Sequence, residues 1–137
     1  MTDDQRQLLE KLRRELLHLH KTLLDWERTV YERKQGRTPP GELLRAVMAD
    51  PHFAWLRPVS ELIVRIDEAI EMEAPDTPTD VAGIVGQARA LVAPGESYSR
   101  YAERYRTALQ EHPDAVLAHR AVAVVLKEAP EEPRRLH

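Results

Sequence analysis

The sequence predicts an all-α protein: a single-domain bundle of about five to six helices, with a long N-terminal helix and a proline-kinked third helix. Two observations carry this. Apolar residues recur at helical spacing in nearly every segment, and no stretch alternates with period two long enough to propose a sheet. The breaks between segments hold Pro, Gly, Asp or Thr, the residues that start and stop helices. At 137 residues the chain fits one domain, able to bury roughly two thirds of its unfolded surface.

The first helix is the clearest. Leu9, Leu12, Leu16, Leu19, Leu23, Trp26 and Val30 follow one another at alternating spacings of 3 and 4, a narrow apolar seam of coiled-coil type. The opposite face carries Lys11, Arg14, His18, Lys21, Asp25, Arg28 and Glu32. Gly36 is suited to a left-handed cap, and Arg33, Lys34 and Arg37 complement the dipole at the carboxyl end. Thr38 with Pro39 and Pro40 starts a short second helix through Leu43, Leu44, Val47 and Met48. Asp50 and Pro51 repeat the start signal. The third helix runs from there to about Glu73, with Phe53, Leu56, Val59, Ile63, Ile66 and Ile70 on one stripe and a kink or break at residues 54 to 58 imposed by Pro58.

A linker at 74 to 79 leads to a helix start at Thr77, Pro78 and Asp80 and the segment DVAGIVGQARALVA, which Pro94 and Gly95 end. Gly83 and Gly86 lack a Walker lysine and serine, so close helix approach explains them. The next helix places Tyr98, Tyr101, Tyr105 and Leu109 on one face, with the tyrosines half-buried and their hydroxyls at the edge of the core. His112, Pro113 and Asp114 turn into AVLAHRAVAVVL, the least polar helix and therefore central. The domain is expected to span residues 1–127, with 128–137 a flexible charged tail.

Composition excludes several chemistries. The 20 basic and 23 acidic side chains are interleaved and give a net charge of -3, so no field for nucleic acid is expected. Zero cysteines remove thiol catalysis, disulfides and thiolate metal sites, and fit a reducing cytoplasm. No apolar run approaches the roughly 20 residues that span a bilayer, and the N-terminus has acids where a signal peptide has bases. A cytoplasmic protein with no membrane contact is expected. No cofactor is called for. No metal is expected either, since Glu15 and His18 have the Glu-x-x-His spacing of carboxylate bundles but no second copy follows.

The residues that could bind or react are His20, Glu27, His52, Trp55, Arg57 and His119. His20 and Glu27 share a polar row with Arg13 and Lys34, between the leucine seam and a second apolar row of Leu17, Leu24 and Tyr31. Two turns separate His20 from Glu27, so each needs a partner from another helix, and His119 is a candidate. Such groups either close a polar network that fixes helix register or form an acid–base pair. Trp55 leaves its helix's stripe and faces another element, a partner or a ligand; a plug of the core is the first reading. Arg57 is expected to stack on it or pair with an acid.

The segments DPHFAWLRPVSELIVRIDE and LLDWERTVYER resemble a family of small all-helical bacterial proteins of unknown function, over about residues 15 to 125. That resemblance implies one domain and bacterial origin, with no site residues to carry over. The stretch YAERYRTALQEHPDAVLAHRAVAVVL is similar to one junction between tetratricopeptide repeats, but the repeat of about 34 residues does not recur. The expected function is non-catalytic: self-association as a homodimer, or docking of another protein, through helix faces. The two apolar rows of the first helix cover more circumference than one neighbour needs, and a second copy would use the surplus. The alternative is a small enzyme or ligand sensor that holds a small molecule between helices with buried His and Glu.

Overall fold

In the computed structural model the described residues are 1–72, 79–95 and 97–130. They form six α-helices and no strand: α1 (Asp3–Gln35), α2 (Pro40–Ala49), α3 (Arg57–Glu71), α4 (Val81–Val92), α5 (Arg100–Glu111) and α6 (Pro113–Glu128), with a 3₁₀ segment, Pro51–Leu56, before α3.

α1 begins with a capping box, in which Gln5 N–H donates to Thr2 Oγ1 and Thr2 N–H to Gln5 Oε1. It ends where the Gly36 amide donates to the Glu32 carbonyl at a positive φ of 84°, a conformation that glycine adopts without Cβ strain. Leu9, Leu12, Leu16, Leu19 and Leu23 are wholly buried, and Trp26 nearly so. The coiled-coil seam is therefore the spine of the core. α3 packs along one flank of it, running opposite to α1, with an Arg13–Asp67 ion pair and a bond from Arg6 Nη1 to the Ile70 carbonyl across the seam. α6 packs along the other flank, where Lys11 near the start of α1 meets Glu128 at the end of α6 at 3.3 Å. α4 sits on α3 and α6, and α5 on α6 and the 3₁₀ segment. Among the described residues no helix is long and apolar enough to cross a membrane.

Several expectations are modified. The kink or break expected at residues 54 to 58 takes the form of a break: residues 51–56 form a 3₁₀ turn capped by Asp50 Oδ1, which accepts from His52 N–H at 2.8 Å, and Pro58 then occupies the first turn of a new helix ending at Glu71. Proline is tolerated there because the amides of a first turn have no intrahelical acceptor. Asp80 caps α4 by accepting from Gly83 N–H, while Thr77 and Pro78 lie outside the described residues. Gly86 is exposed with open space around it, so it does not serve close helix approach, and at Gly83 the nearest atoms to an added Cβ belong to the capping Asp80 side chain. α5 starts after Tyr98, which is 88% exposed, because Ser99 caps the helix by accepting from Ala102 N–H. α6 continues through Glu128 and Ala129 is buried, so the packed unit passes residue 127; positions 131–137 of the expected tail lie outside the described residues.

Candidate functional site

Among the described residues one charged side chain has no solvent contact, Glu27, and three elements converge on it. α1 supplies Glu27 and, beside it, Trp26. The 3₁₀ segment supplies His52 and Trp55, and α5 supplies Arg104. The 3₁₀ geometry explains why two residues of one short segment reach the same carboxylate: at three residues per turn, positions 52 and 55 eclipse. An α-helical reading of this stretch separates them.

Arg104 grips the carboxylate in a fork, Nη2 to Oε1 at 2.7 Å and Nε to Oε2 at 3.2 Å, while Trp55 Nε1–H donates to Oε2 at 2.6 Å. A buried carboxylate without partners is strongly destabilising, and charge-assisted donors on both oxygens are what makes this one tolerable. The Arg104 guanidinium also lies 4.6 Å above the Trp26 ring, whose π face favours a cation. His52 Nε2 comes within 2.8 Å of Glu27 Oε1 without the alignment of a hydrogen bond. The His52 ring is held edge-on to Phe53 at 5.0 Å and tilted against Tyr31 at 5.6 Å.

A second polar contact lies beyond Trp55. Tyr101 sits 5.9 Å from the Trp55 ring and stacks on Tyr105 at 5.7 Å. Its hydroxyl donates to the Leu91 carbonyl at 2.7 Å. The Tyr105 hydroxyl lies 2.7 Å from His119 Nδ1 on α6. Burial raises the pKa of both phenols, for Tyr101 with a further contribution from Tyr105, and burial lowers that of His119. At neutral pH both groups are therefore uncharged, and in the Nε2-protonated tautomer of His119 the Nδ1 atom is an acceptor for the phenol O–H.

Of the six residues singled out in the sequence, Glu27, His52 and Trp55 meet. His20 is half-buried on α1 with its pKa lowered by burial, and does not join Glu27. His119 pairs with Tyr105 and not with His20 or Glu27. Arg57 is exposed at the start of α3; the arginine that reaches the indoles is Arg104. Trp55, 4% exposed, is the core plug of the first reading. The one sequence signal for Arg104 is its place three residues after Tyr101, hence on the buried side of α5. The grooves along α1, between α1 and α3, between α4 and α6 and beneath α2 are lined by other residues than Glu27, His52 and Trp55. Comparison with protein-family models, curated proteins and solved structures finds no match to this chain.

Proposed function

We propose that the chain is a non-catalytic helical protein that works through its outer helix faces, as a homodimer or by docking another protein, in a bacterial cytoplasm. The observation that carries this is the apolar surface left on two helices. Leu44 and Met48, one turn apart on α2, are 62% and 73% exposed, and Leu117 and Val124, two turns apart on α6, are 64% and 57% exposed. Side chains at these spacings share a helix face, so the members of each pair lie together and not singly, as those of a contact surface do. The second apolar row of α1 contributes less than its pattern promised: Tyr31 packs on His52 and Phe53, Leu24 is partly buried, and only Leu17 is substantially bare, at 42%.

The state of Glu27 supports the same reading, because its carboxylate is wholly buried and already neutralised by Arg104, with a further donor in Trp55. The rival, a small enzyme or ligand sensor, draws on the convergence of Glu27, His52 and Trp55. Light scattering across the micromolar range tests the proposal with Leu44→Glu/Met48→Glu and Leu117→Glu/Val124→Glu. A dimer that one pair dissolves while the fold persists supports it. A monomer throughout removes self-association, and docking then rests on capture of a partner that the same substitutions abolish.

A further inference from the structure

A line of rings crosses the molecule. Trp26 meets Trp55 edge-on with centroids 6.5 Å apart, Trp55 meets Tyr101 at 5.9 Å, Tyr101 stacks on Tyr105 at 5.7 Å, and Tyr105 lies 5.8 Å from the His119 imidazole. Rings this close exchange an electron directly, with no carrier between them. Whether a ring can keep the resulting hole depends on its proton. Oxidation makes an indole N–H or a phenol O–H strongly acidic, so the hole is stabilised where a base stands within hydrogen-bond reach.

The rings differ in this respect. Trp26 lies under the Arg104 guanidinium, whose positive charge opposes a second positive charge on the indole. Trp55 donates to Glu27, but Arg104 already holds that carboxylate through both oxygens. Tyr101 donates to the Leu91 carbonyl, and an amide oxygen is too weak a base to take the proton. The Tyr105 hydroxyl lies within hydrogen-bond reach of His119 Nδ1, which in the Nε2-protonated tautomer is the one uncommitted base on the line. Tyr105 is wholly buried, so a radical there is shielded from coupling with other molecules, while half-buried His119 keeps the accepted charge near water.

We propose that this chain carries an oxidising equivalent along Trp55 and Tyr101 and holds it at Tyr105 as a neutral tyrosyl radical, with His119 as the proton acceptor. The oxidant is a diffusible one-electron acceptor, a radical or a high-valent metal complex. It gains one electron, delivered from Tyr105 through Tyr101 and Trp55. The Tyr105 O–H bond breaks, its proton passes to Nδ1 to give the imidazolium, and the phenoxyl oxygen is left with the unpaired electron. One electron from a reductant, with return of that proton, restores the phenol. The activity is separate from docking and does not depend on it.

Flash oxidation of the full chain by photogenerated tris(bipyridine)ruthenium(III) tests this, in a Tyr98→Phe background that removes the most exposed phenol. Electron paramagnetic resonance is expected to show a neutral tyrosyl radical that Tyr105→Phe abolishes and Tyr101→Leu strongly diminishes. His119→Gln keeps a hydrogen-bond acceptor but not a base, and should slow radical formation about a hundredfold, the lower range for loss of a positioned general base. Circular dichroism establishes that each variant is folded, and His119→Gln, at a half-exposed position, carries the test if Tyr105→Phe is not. A tyrosyl signal unchanged in Tyr105→Phe, a formation rate unchanged in His119→Gln, or no tyrosyl signal in the parent would overturn the proposal.

Discussion

Arg104→Met isolates the charge that makes the buried site tolerable. Methionine keeps most of the side chain's apolar length and removes the guanidinium, so Glu27 loses a donor on each oxygen and retains the Trp55 N–H and the poorly aligned His52 ring. Removing one partner of a buried ion pair costs about 3–5 kcal/mol. Arg104 is 23% exposed, so water can reach that side of the pair, and we expect the low end, about 3 kcal/mol. For a domain stable by about 5–15 kcal/mol this is a large fraction. Glu27→Met should cost at least as much, because it strands Arg104 and the Trp55 N–H together. Glu27→Met/Arg104→Met removes both charges and leaves only the indole N–H unpaired, a penalty of about 1–3 kcal/mol. The double variant should therefore be more stable than either single one, with a coupling energy of more than about 3 kcal/mol. Urea unfolding followed by circular dichroism measures this, and tryptophan fluorescence reports locally because both indoles flank the pair. If Arg104→Met lies within about 1 kcal/mol of the parent, or the two losses simply add, the pair is not the buried unit argued here.

Leu16→Ala, in the wholly buried seam, should lose about 2–5 kcal/mol in the same assay through the cavity it opens. Gly86→Ala should instead gain up to about 1 kcal/mol, since the position is helical and a Cβ there meets nothing within 4 Å. Burial holds the pKa of His20 and His119 below the ordinary 6.5, so as pH falls through 6.5 the unfolded chain takes up protons first; stability should drop below that pH and level off once the folded state also titrates. Burial raises the pKa of Tyr101 and Tyr105 above the ordinary 10.0, so their contribution is complete below pH 10 and is lost as pH rises beyond it, visible as a fall in melting temperature.

How much of this could be read from the sequence depends on what the signal repeats. The α1 seam recurs over many turns, so one period accounts for five wholly buried leucines, and Pro51, Pro94 and Gly95 mark ends in the structure as they do in the sequence. The site is another matter. Glu27 and His20 occupy the same heptad position, and nothing in α1 alone shows that one meets an arginine and the other does not; that is decided by where α5 lands. Arg104 lies 77 positions from Glu27 along the chain, a separation no local pattern spans. Trp55 was legible as a residue off its stripe, but its partner was hidden by the assumption of α geometry where the chain takes a 3₁₀ turn.

That turn also explains why a charge stands in the core. α5 buries only Ala102, Tyr105 and Ala108 completely, two of them small, so apolar packing gives it little reason to prefer one register over a neighbouring one. A planar fork on a carboxylate fixed in α1 has one productive geometry, and it pins α5 against the 3₁₀ segment at Trp55 and Tyr101. On this reading the buried pair specifies position more than it adds stability, and Glu27→Met/Arg104→Met separates these effects by removing the pin at a cost of only about 1–3 kcal/mol. Native-state hydrogen exchange should then show amides of α5 opening far more readily than those of α1, α3 and α6, whose packing rests on the leucine seam. Uniform protection across all six helices in the double variant would mean that Tyr105 and its alanine neighbours suffice to seat α5, and that the charge pair specifies nothing.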